Sequence, residues 1–272
     1  MKNLLIAFFL ILSINVFAQS FEGTIKWSWT TEITDPVAKA QMEEAQKMMK
    51  DPEKLKEMEK QLADPQVQQM LAQNPQMKAQ MEKMLEMMKG GGEASIMPTG
   101  MMVQMKNGNS LSKIEGSIIE SEFLSLKDGN HTYMINHKNK TYSKIENKKE
   151  DKDDNKADVK VTRTDETEKI LNYTCVKYLV EYTIDGKKTA QNIWATKDIK
   201  GLDFSEMSKQ QMGNSKRAIF FKEIEGVPLK MEMNWPEGKI TMVATQVKSE
   251  SLPTSSFLVP TDYKEVAPGF GF

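Results

Sequence analysis

The chain has 272 residues, 37 basic and 38 acidic side chains, a formal net charge of −1 and a single cysteine, Cys175. Balanced charge argues against a nucleic-acid partner, which needs a basic stripe to displace phosphate counterions. One cysteine rules out an internal disulfide, so the core must be stable by burial alone.

The first 18 residues read as a secretory signal: Lys2 in the n-region, an apolar stretch at 4–12, and Val16-Phe17-Ala18 before the cut. Cleavage after Ala18 leaves Gln19 first. The apolar stretch is short for a bilayer span, and no Cys follows it to carry a lipid. The expected product is periplasmic or secreted and soluble, without stable membrane insertion. Loss of Lys2 leaves 36 basic against 38 acidic residues, a net charge of −2.

Residues 21–31 alternate strictly, with Ile25, Trp27 and Trp29 on one side and Thr24, Lys26 and Ser28 on the other, the pattern of a half-buried strand. Four short helices follow. Each opens with an Asp or Asn before Pro, at Asp35-Pro36, Asp51-Pro52, Asp64-Pro65 and Asn74-Pro75. The first residue caps free N–H groups, and the proline suits a position whose N–H has no partner. Of the 21 methionines, 14 lie between Met42 and Met105. Met77, Met81, Met84 and Met88 recur at helical spacing, and Gly90-Gly91-Gly92 ends the run. Isolated helices this short are marginal in water, so they need a surface to cover. The sheet face bearing Trp27 and Trp29 is the expected one; the alternative is a separate helical lobe hinged at the glycines.

From Gly100 the period becomes two. Strands are expected at 101–106, 110–115, 117–126, 132–136 and 141–145, then at 175–184, 188–195, 218–224, 229–234 and 239–247, with a short helix within 201–212. Asn107-Gly108 and Asp185-Gly186 are hairpin turns. The stretch 146–158 mixes charges without large apolar residues and reads as a mobile solvated loop. Hairpin-length connections make the sheet antiparallel. The expected fold is α+β: one domain over 19–272 on a single curved antiparallel sheet, with a Met-rich helical insert at 36–89.

The segments 170–178, 192–199, 226–233, 255–260 and 263–265, with the opening Phe21-Glu22-Gly23-Thr24-Ile25, resemble an exported bacterial family, domain-of-unknown-function family 4412. That family is similar to the periplasmic lipoprotein carriers of the Lol type. The resemblance implies an open half-barrel with an apolar concave side and helices packed on it. Asn172 and Asp262 stand where the resemblance expects glycines. Residues 64–71 and 74–77 are similar in texture to the Asp-Pro helical repeats of some co-chaperones.

The chain has no nucleophile elbow, no His-Glu-x-x-His, no phosphate-cradling glycine loop and no Cys pair, so no residue set specifies a reaction. His131 and His137 flank a hairpin tip and read as surface residues. Cys175, in an alternating strand, reads as a buried structural thiol. Met81/Met84, Met101/Met102/Met105 and Met231/Met233 have spacings that suit Cu(I), but most of these methionines also fit apolar stripes. The expectation is a non-enzymatic envelope protein without cofactor. It would bind a lipid or apolar polypeptide in a cavity lined by Trp27, Trp29, Met77, Met81, Met84 and Met88. The competing expectation is that these side chains fill the core.

Overall fold

The computed structural model describes residues 20–73, 77–78, 81, 85, 88–89, 97–116, 122–127, 129, 131–137, 139–146, 159–205, 207–208 and 220–267, apart from 185–186. The signal segment, Met84, the triple glycine and all but the first residue of the charged loop lie outside them.

Twelve strands form one open sheet: β1 (Gly23–Ile33), β2 (Gly100–Lys106), β3 (Asn109–Glu115), β4 (Glu122–Ser125), β5 (His131–Asn136), β6 (Thr141–Glu146), β7 (Lys160–Ile170), β8 (Tyr173–Ile184), β9 (Lys187–Thr196), β10 (Val227–Trp235), β11 (Gly238–Ser249) and β12 (Lys264–Glu265). The order is β12-β6-β5-β4-β3-β2-β1-β11-β10-β9-β8-β7. Two meanders, β2–β6 and β7–β11, are therefore joined along the two edges of β1. All pairings among β1–β11 are antiparallel, and the terminal β12 adds in parallel to β6. Local turn chemistry fits the topology: Asn107 and Gly108 hold φ of 54° and 82° between β2 and β3, as a two-residue hairpin requires.

The face of β1 that buries Ile25 and Trp27, here called the inner face, is continuous across both meanders. Ile25 pairs with Val103 of β2, and Trp29 with Met242 of β11. The main core centres on the inner face of the β7–β11 half and extends onto β1 and β2. There the crossover from β9 to β10 folds back over the sheet. Phe220 stacks on Tyr182 with ring centroids 6.5 Å apart, and Phe221 meets Phe204 edge-on at 5.1 Å. A smaller core occupies the opposite face of the β2–β6 half, where Leu124 and Ile135 are covered by Leu252 and Phe257 of the C-terminal segment.

Three helices follow β1: α1 (Pro36–Lys50), α2 (Pro52–Ala63) and α3 (Pro65–Gln73). The Asp-Pro pairs act as the sequence predicts. Asp35 Oδ1 accepts from the N–H of Ala38 at 2.7 Å, Asp51 Oδ1 from Glu53 at 2.8 Å, and Asp64 Oδ1 from Gln66 at 2.8 Å. Met77, Met81 and Met88 are helical too. α1 packs against β1 and α2, and α2 against α3. The Lys89–Glu59 ion pair, at 2.8 Å, ties the segment after α3 back onto α2.

One sequence expectation changes, and one strand had no expectation at all. Within the strand expected at 218–224, Phe220–Glu223 is a 3-10 helix, because its two phenylalanines both face the core instead of alternating. β7 escapes an apolar-alternation test because it is a sheet edge. Its sequence KVTRTDETEKI puts charge on both faces, which blocks pairing with another chain.

Candidate functional site

The six candidate residues divide into two groups. Trp27 is 1% exposed, and its indole N–H donates to the Pro228 carbonyl oxygen at 3.3 Å. Trp29, two residues on along the same face, is partly buried against the main core, and its Nε1 is buried without a hydrogen-bond partner. In the helical block Met88 is buried, Met81 half-buried and Met77 40% exposed, while Met84 lies outside the described residues. The main core, which takes in Trp27 and packs against Trp29, contains none of Met77, Met81 and Met88.

The helical block packs onto the sheet where α1 meets β1. Its buried apolar residues among those described are Leu62, Leu71 and Met88, and none of them belongs to either core cluster. Met48 and Met70 remain 51% exposed and Val37 64%. Thioether side chains presented this way offer a soft, adaptable apolar surface.

Two polar constellations lie elsewhere, and sequence spacing finds neither. On the outer face of the β7–β11 half, the Lys230 ammonium lies 4.2 Å from the centre of the Trp194 ring, with Lys177 at 5.6 Å. Lys230 also pairs with Glu168 at 2.9 Å, so Trp194 is sealed under charge. The residues come from β7, β8, β9 and β10, and only the register brings them together.

The second constellation fastens the C-terminus. His137 Nε2 lies 2.6 Å from Glu122 Oε2, and His137 Nδ1 lies 2.7 Å from the Tyr263 hydroxyl. The sequence reading of His137 as a surface residue agrees with its half-exposed ring, but it misses these partners. A general base needs a free lone pair near a nucleophile, whereas both ring nitrogens here are engaged, Nδ1 with Tyr263 of the C-terminal segment and Nε2 with Glu122 of β4. Lys140 reaches Asp262 at 2.9 Å and Lys144 reaches Glu265 at 2.8 Å, extending the fastening to β12. At the other end of this segment Glu22 accepts from Lys106 at 2.9 Å and from the Leu252 N–H at 2.6 Å. Lys106 also donates to the Leu252 carbonyl.

Among the described residues no group of three or more His, Cys, Asp or Glu side chains is placed to hold a metal ion, and no helix is long and apolar enough to cross a membrane. Cys175 is fully buried; burial, with Glu168 and Asp198 nearby, pushes its thiol pKa up to about 11. It is a structural thiol.

The model of one family, described as a domain of unknown function (DUF4412), matches residues 68–263. The chain belongs to this family. In this DUF4412 chain the match takes in both meanders and leaves out β1, the strand that joins them. No curated protein matches the chain. Among solved structures, the crystal structure of LprF from Mycobacterium bovis aligns over 57% of this chain and 81% of that one, at 11% identity and a TM-score of 0.25. That likeness is too slight to carry a functional argument.

Proposed function

We propose that this DUF4412 protein is an exported, non-enzymatic protein of the cell envelope that binds a hydrophobic ligand or client, a lipid, lipoprotein or apolar peptide, between its sheet and its Met-rich helices. The observation that carries the reading is the separateness of the helical block. Burying a Met or Leu side chain contributes about 1.5–3 kcal/mol. Met48 and Met70 nevertheless stay half exposed, and the block's buried residues lie outside both core clusters. Trp29, on the inner face of the sheet, keeps an indole N–H without a partner. Trp29, Met77, Met81, Met84 and Met88 are the proposed lining, Trp27 being sealed in the main core.

The test is displacement of an environment-sensitive apolar dye by oleate, monitored by dye emission and by intrinsic tryptophan fluorescence. Saturable displacement with a tryptophan response is the expected result. Absence of saturable dye binding at micromolar protein would leave the filled-core reading in its place.

A further inference from the structure

Antiparallel register sets two adjacent rows of side chains on the inner face of β2–β6. Ser110, Ser125 and Thr132 stand opposite one another in the first row, and Ser112 and Ser143 belong to the second, with Phe123 and Met134 between them. Both rows continue into β2 through Met105 and Val103, which pair with Gly23 and Ile25 of β1, so they share the face that carries Trp27 and Trp29. All five hydroxyl side chains are between 1% and 4% exposed. The opposite face of the same strands carries Leu124 and Ile135 in the smaller core beside the ion pairs of Glu122 and Lys144. These strands therefore put leucine and isoleucine under their own C-terminal segment and hydroxyls on the face that continues from the main core.

The second observation concerns partners. Ser125 and Thr132 hydroxyls lie 3.0 Å apart and satisfy each other. Ser110 Oγ and Ser143 Oγ are buried with no partner, and with Trp29 Nε1 they are the only such side-chain atoms among the described residues. All three lie on the inner face. Native folds keep few buried polar atoms unpaired, because each loses its bond to water and regains nothing.

We infer that the inner face of β3–β6 is the polar subsite of the apolar-ligand site, and that it takes the uncharged, oxygen-bearing head of an amphiphile, an acylglycerol or glycosylated lipid. This rests on the ligand-binding reading above and names the ligand class for it. A serine hydroxyl donates one hydrogen bond and accepts two, which matches ester carbonyls and polyol hydroxyls. Neither row carries Lys, Arg, Asp or Glu. A phosphate or carboxylate head would therefore be desolvated there without a counter-charge. Ser110 and Ser143 sit three strands apart and one row apart, about 16 Å at ordinary strand spacing and rise. One glycerol or hexose head is shorter than that and bonds one of the two hydroxyls at a time. The acyl chain runs toward Trp29 and the methionines.

The experiment compares 1-monooleoylglycerol, an oleoyl glucoside and oleate as competitors of an apolar dye on the folded full chain, alongside S110A, S143A and the double variant. The neutral lipids are expected to compete about tenfold better than oleate. The double substitution should cut their affinity about three- to tenfold, the loss of the one neutral hydrogen bond that a head of this size can make. Oleate binding should not change, and the melting temperature of the free protein should not fall, because the deleted hydroxyls had no partner. If oleate competes as well as the neutral lipids, and the variants affect all three alike or none, the polar subsite is refuted while ligand binding stands. A lower melting temperature with lipid preference intact would make the hydroxyls hydrated structural groups and overturn the inference. Failure of all three lipids to compete would remove it together with the functional reading beneath it.

Discussion

At the scale of single residues, what matters is which side chains are sealed and which are left wanting. Trp27 is closed on every side, its indole bonded to Pro228. Trp27→Ala should cost about 3–5 kcal/mol in a urea unfolding experiment, a large share of the roughly 5–15 kcal/mol that holds a domain folded. A cost below about 1 kcal/mol would mean the residue is not core. Cys175, its thiol raised by burial, should react with a maleimide only on unfolding. Rapid labelling of the native protein would contradict its burial. The thiol and Trp27 were legible in the sequence because strict alternation fixes which face a strand residue occupies. Trp194 under Lys230, and His137 between Glu122 and Tyr263, were not. Each gathers residues from separate strands, or from segments 126 positions apart, and no local spacing encodes that meeting.

At the scale of elements, local chemistry was the readable part. Asp-Pro fixed the starts of α1, α2 and α3, and Asn107-Gly108 fixed a hairpin. β7 was hidden because an edge strand is selected for charge on both faces, which erases its period. The 3-10 helix at Phe220–Glu223 imitates a short apolar strand, and only the crossover packing onto Tyr182 separates them.

The C-terminal segment behaves as a fastening set by carboxylates. Lys106 beside Glu22, Lys140 beside Asp262 and Lys144 beside Glu265 each hold the carboxyl below its ordinary value, 4.5 for the glutamates and 3.8 for the aspartate. Depressed folded values mean the contribution is complete above the ordinary value and is lost as pH falls through the lower folded one. Below about pH 4, therefore, the N–H groups of Lys264 and Val266, which donate to the Lys140 and Tyr142 carbonyls, should lose hydrogen-exchange protection while β8–β10 keeps theirs. E265Q should remove part of that pH dependence. Uniform loss across the sheet would show that the fastening does not titrate by itself.

For the whole molecule, the sheet was legible as antiparallel and open, but its assembly was not. That one N-terminal strand joins two meanders follows from pairing between residues more than 200 positions apart, such as Ile25 and Val247. The division of labour across the inner face was equally invisible. One half is closed by the β9–β10 crossover, the other carries hydroxyls, and the Met-rich block is attached without joining either core. The central claim, that this arrangement carries an apolar guest, is tested most directly by native mass spectrometry of the protein purified from its own cell envelope without detergent exchange. The account predicts a mass above that of the polypeptide, released as a discrete lipid or apolar peptide on collisional activation. A bare polypeptide mass in every charge state would contradict it.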